Sequence, residues 1–448
     1  MSGPRLALLA LAGVLAAVPT VRAQAAADAP VLTLDAAVAN ARRENRSLQA
    51  QHIEEQKLSE QLIAFRSQRR PLFDVKVASG TLLAPFTFRF AQGSLGYLPT
   101  AGPIPPQDST ITTNPGLSTV VYASVVQPLT QLRRLSFGER AIARGGDLAT
   151  EQGRLKDAEL VTNVRKLYYG IVQADAAVRA LDDSVRLSRE LVRLVEQYEG
   201  QRVVLPADLL AARAGVLDQD YQQTAARRQA QGFREQLNAL MNRPLDEPFT
   251  VQPMAPAPVA EADLAVAERQ AVDARPEVRI GRIQAERAEL ALRAAKVPGR
   301  PDLSLTFQYT GFYNFEFLPH HGALVGVLAT WEPWDWGHAK AEREEKRLEQ
   351  TQAGRIAGDT ETMIRLDVRT RFRALQDAVA LIAVSDAARE AAREKLRVAT
   401  ERFAIDAALQ KDVLEAQAGL AKADQARQQA LANYWTARAE FERARADP

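Results

Sequence analysis

The sequence predicts an α+β protein in which β-hairpins continue into long α-helices, and three observations lead to this prediction. The N-terminus reads as an export signal, the two halves of the chain repeat one order of elements, and each half holds a helical stretch too long for a globule. The 448 residues carry a formal net charge of +2 and no cysteine. This composition indicates neither a basic surface for nucleic acid nor a disulfide framework or thiolate metal site.

The first 23 residues have the pattern of a secretory signal peptide. Arg5 precedes an apolar run from Leu6 to Val18, and Val21 and Ala23 provide small residues before a cleavage point. We expect residues 1–23 to be removed, although an N-terminal membrane anchor is the alternative. Beyond them no apolar run reaches the ~18 residues of a membrane-spanning helix. The exported protein is therefore either soluble in the periplasm or a β-barrel of the outer membrane.

An internal repeat divides the chain. The segment from Leu34 to Gly80 aligns without a gap on the segment from Leu264 to Thr310, and Arg70-Pro71 falls on Arg300-Pro301. In both halves the predicted order is helix, strand, strand, long helix and second helix. We expect a first structural repeat over 31–243, a proline-rich linker over 244–262 and a second repeat over 263–446.

Each repeat is predicted to hold one β-hairpin, at about 72–127 and about 302–332. Leu303, Leu305, Phe307 and Tyr309 alternate with polar residues, as in a strand with one apolar and one polar face. Four strands are too few for a closed membrane barrel, whose edges must all be paired. Either the hairpins pack on a soluble core, or several chains pool their strands, and three chains would supply about twelve.

Tryptophans cluster at the end of the last predicted strand. Trp331, Trp334 and Trp336 are three of the four tryptophans in the chain. Such a cluster is typical of an aromatic girdle at a membrane interface. The alternative is that these rings pack in a soluble core where the strand meets the helix.

Long proline-free stretches follow each hairpin. No proline occurs from Leu129 to Leu205 or from Asp335 to Asp447, and apolar residues recur there at helical spacing. These stretches predict helical hairpins that turn near 200–207 and near 405–411, with a bend at Gly145-Gly146. A soluble coiled-coil rod, such as a periplasmic adaptor, would also explain the helices.

Several stretches resemble the TolC family of outer-membrane efflux proteins, over essentially the whole mature chain. They are Gln127-Pro128-Leu129 with its twin from Glu332 to Gly337, and the two turns that run from Tyr198 to Ala212 and from Phe403 to Gln417. The resemblance implies an α+β membrane protein, a homotrimer with a twelve-stranded barrel, four strands per protomer, on a coiled-coil tunnel in the periplasm. It also implies a passive duct of a tripartite efflux or type I secretion system, joined to a periplasmic adaptor and an inner-membrane pump.

The resemblance also assigns residues. It implies that Asp412 and Glu415 form acidic rings at the periplasmic entrance, that Asp208 is the acidic residue of the other hairpin, and that Phe403 is the aromatic residue of the gate. The alternative is that these carboxylates are ordinary solvated helix residues. The turn from Ile405 to Leu409 lacks the usual glycine and a basic residue, which puts a salt-bridge latch in doubt. The tips that would contact the adaptor are Gly200, Val203, Val204, Leu205, Ala407, Ala408 and Leu409.

The motifs of enzymes are not found in the sequence. It has no P-loop, no glycine-rich dinucleotide turn and no HExxH sequence, and His320-His321 lie in a predicted outer turn. We therefore expect no catalysis, cofactor or metal, and contact with outer-membrane lipid but not with nucleic acid. The alternative function is a periplasmic coiled-coil adaptor without a pore, and the distinction is whether the strands face lipid.

Overall fold

The computed structural model describes residues 30–81, 83–112, 116–201, 205–252, 263–297, 301–314, 319–405 and 407–446. The helices are α1 Leu34–Glu44, α2 Arg46–Ser67, α3 Leu132–Gly200, α4 Pro206–Leu240, α5 Leu264–Ala274, α6 Pro276–Ala295, α7 His338–Ala404 and α8 Gln410–Ala444. The strands are β1 Val31–Leu32, β2 Leu72–Thr81, β3 Thr87–Phe90, β4 Tyr97–Leu98, β5 Gly102–Pro103, β6 Ser109–Thr112, β7 Leu117–Pro128, β8 Thr250–Val251, β9 Asp302–Tyr313 and β10 His321–Thr330. Within these ranges, no helix has both the length and the apolar character needed to cross a membrane.

The two halves of the chain have matching elements of nearly equal length. Helices α3 and α7 have 69 and 67 residues, and each is followed by a helix of 35 residues, α4 or α8. At 1.5 Å per residue, the long helices extend for about 100 Å. Helix α3 passes through Gly145 and Gly146 without interruption, so the glycine pair does not end the helix there.

Each half opens with two helices rather than the single helix that the sequence pattern predicts. The Asn45 side chain accepts hydrogen bonds from the backbone of Ser47 and Leu48, so it ends α1 and starts α2. In the second half, Pro276 stands at the first position of α6 and cannot continue α5, because it has no backbone N–H to donate. One capping side chain and one proline thus divide equivalent helices at equivalent places.

The two hairpins join into one antiparallel sheet with the strand order β10-β9-β7-β2. The register aligns Phe73, Val125, Phe307 and Val325 in one row across all four strands. Because side chains alternate along a strand, this row and its equivalents form an apolar face, which is largely exposed. The other face carries Ser124 and Thr306, both buried, so the sheet turns its apolar side outward in the single chain.

The described part of the connection between β2 and β7, which is rich in proline and glycine, contains regular structure. It holds two short antiparallel ladders, β3 with β6 and β4 with β5. Gln92 joins the two sides of this connection. Its backbone N–H donates to the Asp108 carboxylate, and its side chain donates to the carbonyl of Pro106. Proline and glycine content therefore marks turns between strands here, not an unstructured loop.

The long helices lie side by side, and their main core forms where α3 and α8 meet the short helices. Helix α3 packs against α4 and α8, and α8 packs against α7, which leaves α4 and α7 at the two edges of the layer. In the core, the Trp435 ring stacks on Tyr169 with centroids 4.4 Å apart. The Tyr168 hydroxyl donates to the carbonyl of Leu32 in β1, which pairs in parallel with β8.

Both edge helices carry exposed apolar stripes. On α4 the stripe consists of Leu210, Leu217 and Tyr221, which are spaced by seven and four residues. On α7 the stripe consists of Leu348, Ile356, Met363, Leu366, Leu381 and Val384. At 3.6 residues per turn, these six side chains fall within an arc of about 80° along the helix. Each edge of the helical layer therefore presents an apolar seam to its surroundings.

A buried arginine ties the junction of α5 and α6 to α7. The side chain of Arg275 is 7% exposed and donates hydrogen bonds to Glu277 and, over 2.7 Å, to Asp367. Burial raises the pKa of Glu277, but the hydrogen bond and charge of Arg275 outweigh burial and hold that pKa below its ordinary value. The charged form of Glu277 therefore stabilises the folded state.

This lowered pKa predicts a loss of stability in acid. The contribution of Glu277 is present above the pKa of an unfolded glutamate, about 4.3, and is lost as the pH falls through the lower folded value. We expect Glu277→Gln to show a weaker decrease of thermal stability below about pH 5 than the parent protein. Glu190 is exposed and has no ion-pair partner among the described residues, so Glu190→Gln is the matched control. An unchanged acid dependence in Glu277→Gln would contradict this assignment.

Candidate functional site

The second helix of each helical hairpin begins with the same backbone geometry. Helix α3 ends at Gly200 before α4 begins at Pro206, and α7 ends at Ala404 before α8 begins at Gln410. The residues at the two helix N-caps, Leu205 and Leu409, have φ/ψ of −82°/150° and −81°/151°. The two helix starts are therefore structural equivalents, in agreement with their positions in the repeat.

Asp208 and Asp412, which the resemblance assigns to the entrance, each cap the helix in which they lie. The Asp412 carboxylate accepts a hydrogen bond of 3.0 Å from the backbone N–H of Leu409, and Asp208 accepts one of 3.1 Å from Leu205. A carboxylate in the first helical turn satisfies an otherwise free N–H and interacts favourably with the helix dipole. This structural role was not part of the sequence prediction, although an acidic residue three positions after the N-cap is a known signal of it.

Glu415 has no capping role. It is exposed, and its nearest cation is Lys411 in the same helix, with Nζ 3.6 Å from Oε1. Asp412 and Glu415 are three residues apart, so they lie on the same side of α8, one helical turn from the hairpin end. Within one chain the two acidic residues thus project from one face at the hairpin end.

The two hairpin ends are in contact through aromatic rings. Phe403 packs edge-to-face against Tyr198, with ring centroids 5.4 Å apart, so α3 and α7 meet close to their C-terminal ends. Further along, the Gln417 side chain donates to the Ser188 hydroxyl over 2.7 Å and joins α8 to α3. Tyr198 and Ser188 were not among the predicted site residues, although Tyr198 aligns with Phe403 in the repeat.

The hairpin tips present apolar side chains to solvent. Leu205, Ile405 and Leu409 are exposed, as are the smaller Gly200 and Ala407. Ala408 is partly buried. Val203 and Val204, which the sequence prediction also includes, lie outside the described residues.

The tryptophans after β10 are on the surface. Trp331, Trp334 and Trp336 are 62%, 80% and 96% exposed, whereas the fourth tryptophan, Trp435, is 1% exposed. The three rings therefore do not pack in a core at the junction of strand and helix. Trp336 has a positive φ of 52°, followed by Gly337 at 89°, and this left-handed turn redirects the chain from the sheet into α7.

Asp335 fixes that turn. Its carboxylate accepts hydrogen bonds from the backbone N–H groups of Gly337 and Ala339, at 3.0 Å and 2.9 Å. These hydrogen bonds lower the pKa of Asp335, because they favour the charged carboxylate. Asp335 lies inside the motif that carries the resemblance, but its capping role became visible only with the helix start in place.

The described part of the chain contains no group of three or more histidine, aspartate or glutamate side chains arranged to hold a metal ion.

The comparisons with known proteins bear on the fold. No family model matches the chain, and no curated protein matches it. Among solved structures, a membrane protein from Pseudomonas aeruginosa superposes with a TM-score of 0.77 at 16% identity, covering 92% of this chain and 90% of that one.

Two further structures are of proteins described as channels. The structure of CusC, described in terms of transmembrane channel formation, gives a TM-score of 0.76 at 15% identity, over 92% of this chain and 91% of its own. The CmeC outer membrane channel of Campylobacter jejuni gives 0.75 at 16% identity, over 92% and 85%. At such identities the likeness concerns the fold, in nearly full-length agreement. The chain therefore has the fold of these outer-membrane channel proteins, and the resemblance noted in its sequence is confirmed at that level.

Proposed function

We propose that this chain is one protomer of a trimeric outer-membrane channel that serves as a passive export duct. The observation that carries the proposal is the four-stranded sheet, whose outward face is apolar and whose two edges are open. In water such a face would have to be covered, whereas in a bilayer it is the expected surface of a strand. The alternative function, a periplasmic adaptor without a pore, does not explain why the sheet has an apolar outward face.

The strand directions allow closure by repetition of the chain. The edge strands β2 and β10 run antiparallel to each other, because three successive antiparallel pairings separate them. Pairing β10 of one protomer with β2 of the next keeps every contact antiparallel. Three protomers then close a barrel of about twelve strands, an even number as such barrels require, with no edge left in lipid.

The helical layer supports the same arrangement. Its edge helices α4 and α7 carry the apolar stripes described above, and a head-to-tail ring brings α7 of one protomer beside α4 of the next. The α4 stripe lies near the hairpin end and the α7 stripe lies nearer the sheet, so a different part of the neighbouring protomer would cover each stripe and bury apolar surface that the single chain exposes. The same symmetry then closes the sheet into a barrel and the helices into a tunnel.

The proposed direction of export is from the periplasm through the helical tunnel and out through the barrel. Asp412 and Glu415 would give the entrance of a trimer a ring of carboxylates, which favours cations. Phe403 with Tyr198, and Asp208, would lie at the same level of the hairpins. The exposed tips at Leu205 and Leu409 would contact a periplasmic adaptor that joins an inner-membrane pump, as the resemblance to the TolC family implies. The chain itself would perform no catalysis, in a tripartite efflux or type I secretion system.

Conductance of the purified mature protein in planar lipid bilayers tests this proposal. We expect small cation-selective openings, and we expect Asp412→Asn/Glu415→Gln to reduce the preference for cations because six carboxylates leave a trimeric entrance. Asparagine keeps an oxygen that can accept the hydrogen bond from Leu409, so this variant removes charge while the helix cap remains. Asp412→Ala, which removes both, shows the effect of the cap.

The outcomes separate the parts of the proposal. If the variant Asp412→Asn/Glu415→Gln forms channels of unchanged selectivity, the proposal of a duct stands, but these carboxylates do not line its entrance. A protein that forms no channels and stays dissolved without detergent would overturn the duct itself and favour the adaptor.

A further inference from the structure

All four strands of the sheet meet the helices at one end. The register places the start of β2, the end of β7, the start of β9 and the end of β10 at the same edge. At each of these four crossings the chain carries an exposed cationic side chain that has no hydrogen-bond or ion-pair partner among the described residues. We call this set the basal belt, and it consists of Arg70, Arg133, Arg134, Lys296 and Lys340.

Hydrogen bonds hold three of the crossings together. The Gln127 side chain donates to the carbonyl of Arg69 over 3.1 Å, which joins the end of β7 to the start of β2. The Thr130 hydroxyl accepts from the backbone N–H of Leu303 over 2.8 Å, which joins the end of β7 to β9. The cations of the basal belt therefore project from a fixed framework at the strand–helix junction.

The carboxylates near the belt only partly balance it. Glu139 accepts hydrogen bonds from Arg66 and Arg69, which lower its pKa, and is thereby paired with other cations. Asp335 is engaged by backbone N–H groups. Asp302 and Glu332 remain exposed at the crossings of β9 and β10.

The opposite end of the sheet has a different charge character. The connection between β2 and β7 has, among its described residues, one cationic residue, Arg89, and one carboxylate, Asp108. The positive charge is thus concentrated at the end that also carries the three exposed tryptophans. Tryptophan rings favour the headgroup level of a bilayer, and arginine and lysine side chains there reach phosphate groups.

We propose that the basal belt binds the phosphate headgroups of anionic phospholipids in the membrane leaflet on the helical side. This inference rests on the proposed function, since it requires the sheet to span the bilayer. Guanidinium groups suit phosphate because they donate paired hydrogen bonds, and an anionic leaflet offers that partner at the depth of the tryptophans. Closure of the ring would also bring Trp331 and Trp334 at the end of β10 beside Arg70 of the next protomer, so assembly would complete each lipid site.

The test measures thermal stability of the purified mature protein in an uncharged detergent. Short-chain phosphatidylglycerol, phosphatidylcholine of equal chain length and inorganic phosphate are the three probes. We expect a saturable rise of melting temperature with phosphatidylglycerol alone. Arg133→Gln/Arg134→Gln is expected to weaken its apparent affinity about tenfold or more. Adding Arg70→Gln, Lys296→Gln and Lys340→Gln should weaken it further.

A matched control removes the same number of charges elsewhere. Arg179 and Arg393 are exposed on α3 and α7, and neither has an ion-pair partner among the described residues. Arg179→Gln/Arg393→Gln is expected to respond to phosphatidylglycerol like the parent protein. Since the five-residue variant could fail to assemble, the comparison of the two double variants decides the result.

Three outcomes would overturn the proposal: an equal response to phosphatidylcholine, an equal response to inorganic phosphate, or an Arg133→Gln/Arg134→Gln variant that binds like the control. Failure of the proposed function is recognised separately in phosphatidylcholine bilayers. If the protein forms channels in phosphatidylcholine but phosphatidylglycerol does not raise its melting temperature, the lipid site alone is refuted. If the protein forms channels in neither phosphatidylcholine nor phosphatidylglycerol bilayers, the proposed function as a duct is refuted.

Discussion

Arginine in place of Phe307 is expected to block insertion of the sheet into a membrane, whereas arginine in place of the adjacent Gln308 is expected to be tolerated. Phe307 lies near the middle of β9, between Val125 and Val325 on the apolar face. An arginine facing lipid at the bilayer midplane costs about 2–4 kcal/mol per chain, and a trimer carries three copies. Gln308 pairs with Ser124 on the opposite face, which would line the water-filled interior.

The fraction of protein recovered in outer membranes, with the conductance of what is recovered, measures this difference. The two substitutions are neighbours in sequence and introduce the same side chain, so general effects of an added arginine cancel. Equal recovery of Phe307→Arg and Gln308→Arg would mean that the apolar face does not meet lipid. Loss of Gln308→Arg alone would mean that the two faces have been assigned in the wrong order.

Met363→Glu/Leu366→Glu is expected to abolish assembly of the trimer. Both side chains lie in the exposed stripe of α7, which we propose to bury against the neighbouring protomer. Burial of an unpaired carboxylate costs several kcal/mol, on the order of the whole contribution of such a seam. The mass of the protein–detergent complex, measured by light scattering after size-exclusion chromatography, should fall from that of a trimer to that of a monomer.

Val379 offers the control for this experiment. It is also exposed on α7, but it lies well away from the arc of the stripe. Val379→Glu is therefore expected to leave the trimer intact. Equal dissociation by both substitutions would point to general damage of the helix, and an intact trimer with Met363→Glu/Leu366→Glu would show that the stripe faces something other than a neighbouring protomer.

Features with a local cause were accessible to sequence analysis. The alternation in β9 follows from the two faces of a strand, and the pattern located that strand closely, with the last residues reaching Tyr313. The proline-free helical stretches correspond to α3 and α7 because propensity and periodicity agree over many residues. The division of α5 from α6 at Pro276 was missed, although its cause is also local.

Features that depend on distant residues could not be predicted in the same way. The hydrogen bond from Arg275 to Asp367 spans 92 residues of sequence, and nothing in either segment identifies the other. The contact of Phe403 with Tyr198 depends on how α3 and α7 lie side by side. The unpaired state of the cations at the strand ends likewise became visible only with all surrounding carboxylates in place.

The sequence by itself determined the repeated order of elements, the amphipathic strands and the length of the helices, because these follow from residue spacing along one element. Tertiary structure alone decided that both hairpins share one sheet, that its apolar face points outward, and that α4 and α7 stand at the edges of the layer. The physical reason is that these properties belong to packing between segments far apart in the chain. The order of the strands and the neighbours of each helix depend on which surfaces bury each other. The spacing of apolar residues within one segment does not identify the segment that packs against it.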